Sequence, residues 1–295
     1  MKNGYLQEKS YTEKIFYFFL LALTAKVIFS ALSYYLILWI YNIDLSLISI
    51  NSTLTPAAIR AYKLATILDQ IGTFLIPVLV FLKLFYKRPY EIIAFNRLKK
   101  SHLILLPTLL IIMICSSFWI LEINQNIDFS FLPKEFLETV NIQQDFADQI
   151  HHSFIGASSK SLLVNLIIMA LLPAFCEELA FRGVLQELFI KWSKNIPIGI
   201  FISATIFALL HFQINNIFAL LFLGALLGYI RLKTKTIWTT IILHFSYNSY
   251  SVLSIFLLKN EIDISLNEHK MAMTILLLIS VIVLTTLNLY TKKRG

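Results

Sequence analysis

Glu177 and Glu178, with Arg182 four residues further on, stand late in an apolar run that begins at Ser161 and is otherwise long enough to cross a bilayer. A charge near the centre of a membrane helix costs roughly 2.5 to 3.5 kcal/mol on insertion scales, so ionisable groups kept there point to function. On a helix Glu178 and Arg182 share a face and can pair, whereas Glu177 points about 100° away and has no local partner. Pro173, just upstream, removes one backbone donor and frees the carbonyl of Met169, which predicts a bend beside these groups. Two further apolar runs carry polar groups at helical spacing: Phe207 with His211, and His244 with Asn248. Single intramembrane histidines are often satisfied packing residues. Three helices that each bring polar groups into apolar surroundings are relieved together only if they converge on one cavity.

Two chemistries fit that set. Glu177 can act as general base toward a water, with one imidazole positioning the water and His244 or Asn248 donating to the oxyanion of a tetrahedral intermediate. Alternatively Glu177, His211 and His244 form a two-histidine, one-carboxylate set that holds zinc with an open position for water. Both lead to hydrolysis. The second route lacks a separate carboxylate base unless Glu178 leaves Arg182.

The elements that must position these residues are membrane helices. The chain has 295 residues, 58% of them hydrophobic and 14% charged, with mean hydropathy +0.74, far more apolar than a soluble domain with about 25% charged residues. The formal charge of +8 lies in short clusters between apolar runs, which marks topology signals and excludes a nucleic-acid surface. Cys115 and Cys176 both lie inside apolar runs and read as small buried hydrophobes. Apolar runs predict about eight transmembrane helices: 15–41, 61–84, 103–121, 161–190, 196–212, 217–230, 237–258 and 271–290. The first is too long for a cleaved signal peptide and is expected to be retained. In the connector 122–160, Phe136, Val140 and Phe146 suggest a short amphipathic helix on the membrane. The expected organisation is a polar cytoplasmic leader, 1–14, and one all-α transmembrane domain, 15–291, with no repeat or linker dividing it.

Basic residues concentrate at the amino terminus, 83–100, 191–194, 231–235 and the carboxyl terminus. The connections at 42–60, 122–160 and 259–270 carry fewer of them relative to acids, so both termini are expected in the cytoplasm. Trp39, Trp119, Trp192 and Trp238 all fall at predicted span ends, as interfacial belts require. Lys26 and Asp69 are expected to form an ion pair, Gly224 and Gly228 to serve packing within the bundle, and His151 and His152 to be solvated connector residues. His102 and His269, at span edges, read the same way.

The three motifs, Glu177-Glu178 with Arg182, Phe207 with His211, and His244 with Asn248, resemble in order, spacing and setting those of the CPBP family, the CAAX-processing and bacteriocin-processing intramembrane proteases also called Abi. The resemblance covers residues 173–250. It implies an eight-helix intramembrane endopeptidase, often classed as a metalloprotease, with a cavity reached from the cytoplasmic side. It implies that Glu177 activates water, that Glu178 and Arg182 organise the site, that His211 holds water or metal, and that His244 and Asn248 stabilise the oxyanion. Zinc, if a metal is used, would sit on Glu177, His211 and His244. The expected partners are the lipid bilayer and a membrane-associated protein or peptide substrate, and the expected location is a bacterial inner membrane, on the family's distribution. A non-enzymatic immunity or scaffold protein is the alternative, and a transporter using Glu177, Lys26 and Asp69 as a relay is disfavoured by the lack of a repeat.

Overall fold

The computed structural model describes residues 4–49, 52–88, 92–156, 158–260 and 270–292, with side chains as far as 282. The acids Glu91, Glu261, Asp263 and Glu268, together with His269, Lys293 and Arg294, lie outside the described residues. The described chain is a helix bundle: α1 (Tyr11–Tyr41), α2 (Pro56–Phe85), α3 (Lys100–Gln125), α4 (Lys134–Phe154), α5 (Ser159–Ser193), α6 (Ile196–Leu209), α7 (Ile217–Thr234), α8 (Ile237–Lys259) and α9 (Lys270–Lys292). Six helices are long and apolar enough to cross a membrane, while α6 and the described part of α9 are shorter apolar helices. The expected polytopic all-α architecture is therefore present.

Helix starts follow local chemistry. Ser10 and Glu13 form a reciprocal capping box at the head of α1, and Thr55, Ser158, Asn195 and Thr236 cap α2, α5, α6 and α8 with their side chains. Prolines enter where their missing donor is harmless, Pro56 and Pro197 being in the first turns of α2 and α6. Three prolines sit inside long helices: Pro107 lies in the regular helix α3, whereas Pro77 and Pro173 each follow a wide π-helical turn, Ile71–Leu75 in α2 and Leu166–Leu171 in α5. The wide turn shifts the hydrogen-bond register so that the ring no longer meets an occupied carbonyl four residues back. A third wide turn, Leu179–Leu185, follows Glu178 directly. The bend expected from Pro173 thus takes the form of helix widening on both sides of the carboxylates.

One core cluster joins α1, α2, α5, α6 and α8 through Phe18, Phe81, Phe85, Phe181, Phe207 and Ile241. A second joins α3, α7 and α8 through Met113, Leu227 and Leu243. The apolar outer surfaces of α1 and α9 remain exposed and face lipid. Two of the basic segments, 83–100 and 231–235, meet where Asn96 donates to the carbonyl of Lys235 at 2.7 Å and Arg231 reaches the carbonyls of Ile92 and Ile93.

The connector end is closed by α4. Its final carbonyls accept from Lys63 and Asn165 at Phe154, and from Lys259 at Ile155, so cations and an amide satisfy the helix C-terminus. This 21-residue helix is longer than the short surface helix anticipated, and it packs down on α2, with Phe146 against Tyr62. The fifth span is in turn shorter than expected. α6 has 14 residues, about 21 Å, and His211 lies beyond it in a turn where Phe212 takes a left-handed φ of 51°. Asn124 fixes the return, donating to the carbonyl of Ile214 and accepting from the backbone of Phe218, both at 3.1 Å.

Candidate active site

Glu178 and Arg182 are fully buried, and Glu178 Oε1 accepts from Arg182 Nη1 at 2.8 Å. The same oxygen lies 2.9 Å from His244 Nδ1. Because an ionised carboxylate only accepts, Nδ1 carries the proton and Nε2 is turned the other way. It lies 4.0 Å from Glu177 Oε2. Arg182 also donates from Nη2 to the carbonyl of Gly224 at 3.1 Å, and one turn on Gln186 does the same to Gly228. A Cβ on Gly224 would lie 3.1 Å from Ala204 Cα and 3.3 Å from Phe207 Cδ1. The glycine pair therefore serves close packing inside the bundle, and its bare carbonyls anchor the Arg182 guanidinium at Gly224 and the Gln186 amide at Gly228.

Glu177 looks the other way, as the 100° offset requires. Its Oε1 accepts from Gln70 Nε2 at 3.1 Å, a partner on α2 that no sequence spacing linked to it. Its Oε2 is buried and, among the described residues, without a hydrogen-bond partner. Glu178 receives Arg182 and His244 on Oε1 alone, and its Oε2 is likewise without a hydrogen-bond partner among the described residues. The carboxylates are inequivalent because Glu177 lines a cavity and Glu178 does not.

Phe207 is the packing centre. Its ring carries the Arg182 guanidinium carbon at 4.7 Å, a cation–π distance, with His211 at 4.6 Å, Phe181 at 5.1 Å and His244 at 6.0 Å between centroids. His211 Nδ1 lies 2.7 Å from the carbonyl of Phe207. A carbonyl only accepts, so here too Nδ1 donates and Nε2 is the nitrogen left for the cavity.

A cavity of about 380 Å³ is lined by Glu177, His211, His244 and Asn248 together with Gln70 and Phe207. All four convergent residues share it, even though they start at different depths along their helices. Its other end reaches Asp148, His151 and His152 of α4. His151 is therefore a cavity-lining residue rather than a solvated connector residue, and burial holds its imidazole below the ordinary histidine range against the opposing pull of Asp148. A second, apolar groove of about 410 Å³ runs between α1, α2 and α6 and also meets Glu177 and His211, with the Lys26–Asp69 ion pair on its wall. The expected contact between Lys26 and Asp69 is formed.

Donation from Nδ1 by both imidazoles is the polarity of metal-ligating histidines. Among the described residues, however, no group of three or more His, Cys, Asp or Glu side chains is placed to hold a metal ion. Cys115 and Cys176 are buried thiols outside the polar set.

Fold and site together define a polytopic helical membrane protein with a buried cluster of two carboxylates, a guanidinium and an imidazole. Residues 159–250, which contain all three motifs, match the family model described as type II CAAX prenyl endopeptidase Rce1-like. No curated protein and no solved structure gives a match.

Proposed function

We propose that the chain is a CAAX-type intramembrane endopeptidase that hydrolyses a peptide bond of a membrane-associated protein or peptide with a water activated by Glu177. The observation that carries this reading is the juxtaposition of the unpartnered Glu177 Oε2 and His244 Nε2, 4.0 Å apart, on the wall of a shared cavity. A water between them donates one proton toward Oε2 and is oriented by the imidazole, whose ring Glu178 holds through Nδ1. The water oxygen bonds to the scissile carbonyl carbon and the Asn248 amide donates to the oxyanion, while His211, whose Nδ1 proton goes to the Phe207 carbonyl, presents Nε2 as an acceptor that helps hold the water. Glu177 then returns the proton to the departing amine as the carbon–nitrogen bond breaks. Arg182 touches no reacting atom and is a positioning residue, fixing Glu178 and through it His244. The apolar groove that meets Glu177 and His211 suits a substrate that arrives within the membrane.

The test is cleavage of a quenched prenylated peptide by purified wild-type protein in proteoliposomes. Glu177→Ala is expected to lower kcat/KM by about 10² to 10⁴, the usual worth of a general base, and Asn248→Ala by about 10² to 10³. Wild-type rates in Glu177→Ala and His211→Ala together would overturn the assignment. No cleavage by any form would favour the immunity or scaffold reading. Chelation is expected to leave the wild-type rate unchanged. A loss restored by added zinc would move Glu177, His211 and His244 to the metal route. The basic segments are proposed to face the cytoplasm of a bacterial cell, together with both termini. Terminal tags digested by external protease on intact cells would reverse that orientation.

A further inference from the structure

A third cavity lies beside the other two. It occupies about 520 Å³ between α1 and α2 at the connector end and is bordered by Ile43 and Leu45 of the following connection. Its walls include Ser30, Ser33, Tyr34, Thr66, Asp69 and Gln70, a run of hydroxyl, carboxyl and amide groups unusual beside membrane helices. Thr66, Gln70 and His151 line both this cleft and the main cavity. Gln70 is the junction: its Nε2 donates to Glu177 Oε1, and its own Oε1 is a buried acceptor with no protein partner among the described residues. Unpaired buried acceptors in a polar space wide enough for solvent are hydrated. Asp69 lines both the cleft and the apolar groove, and Lys26, its ion-pair partner, lines the groove.

Hydrolysis consumes one water for every bond cut, yet a substrate seated over Glu177 and Asn248 fills the main cavity and shuts out bulk solvent. We propose that the polar cleft between α1 and α2 is the water route to Glu177, resupplying the nucleophile past Ser33, Thr66 and Gln70 while the main cavity and the apolar groove hold substrate. The proposal rests on Glu177 being the water-activating base. It adds a function for α1 and α2, both of which lie outside the stretch that matches the family model. It also places the Lys26–Asp69 pair at the border between a wet compartment and a greasy one.

The route is tested in full-length protein in proteoliposomes by the reaction of single introduced cysteines with a small charged methanethiosulfonate reagent, which modifies thiols only where water reaches them. Both native cysteines are buried, so the unsubstituted protein provides the background. Ser33 is buried, whereas Ile28, on the same helix, is 57% exposed. If Ile28 faces lipid and Ser33 faces water, Ser33→Cys and Thr66→Cys react at least tenfold faster than Ile28→Cys, the reverse of their ranking by exposure. Ser33→Leu, which narrows the cleft, lowers kcat at least fivefold and leaves KM for the peptide unchanged. Reaction of Ser33→Cys no faster than Ile28→Cys overturns the route, as does an unchanged kcat in Ser33→Leu. The labelling arm needs no catalysis, so failure of the route and failure of the protease reading give different results.

Discussion

At the residue scale, two adjacent carboxylates do different work because successive helical positions differ by about 100°. Glu178 is sealed behind Arg182 and His244, and Glu177 faces the cavity. Arg182→Met leaves the Glu178 carboxylate buried without its cation, a change that costs about 3 to 5 kcal/mol. Thermal unfolding in detergent is expected to show a loss of that size, and Arg182→Lys is expected to regain only part of it, because an ammonium cannot span both Glu178 and the Gly224 carbonyl with a planar fork. Equal stability of Arg182→Met and wild type would contradict a structural role for the pair. The pairing of Glu178 with Arg182 was legible from the i, i+4 spacing alone. Gln70 was not, because a lone amide beside Asp69 carries no periodic signal, and its meeting with Glu177 joins residues 107 apart in sequence.

At the element scale, the wide turns are the devices that aim the site. Pro77 and Pro173 are each preceded by one, and the turn after Glu178 carries Arg182. The close approach of α6 and α7 is the second device. Gly224→Ala places a methyl against the backbone of Ala204 and the ring of Phe207, and such overpacking costs about 1 to 3 kcal/mol. The expected outcome is a lower melting temperature together with a fall in kcat, since Phe207 supports Arg182, His211 and His244. A melting temperature at or above that of wild type would show that the helices can separate freely. Helix existence was read from hydropathy with little error. The early stop of α6 was not, because Leu210 and Phe212 are as apolar as the helix before them, and only the clamp from Asn124 and the left-handed Phe212 show that the chain turns there.

At the scale of the whole molecule, the motif-bearing stretch does not make its own cavity. α2 supplies Gln70 and Thr66, α4 supplies Asp148 and His151, and α1 with α2 complete the core around Phe181 and Phe207. A fragment spanning residues 159–259 is therefore expected to lose fixed tertiary structure, read as loss of near-UV circular dichroism and aggregation on size exclusion. A monodisperse fragment with an intact near-UV spectrum would contradict the single-domain organisation proposed for residues 15–291.

The sequence by itself determined the membrane class, the helical runs, the Glu178–Arg182 neighbourhood and the identity of the four residues that converge. These follow from composition and from the fixed pitch of a helix, both local properties. Tertiary structure alone decided that His244 is held by Glu178 with its other nitrogen 4.0 Å from Glu177, that Gln70 holds Glu177, and that α4 brings Asp148 and His151 to the cavity wall. Those contacts depend on how far each helix tilts, widens or stops short, and such displacements are set by side chains packing against one another across the bundle rather than by any spacing along the chain.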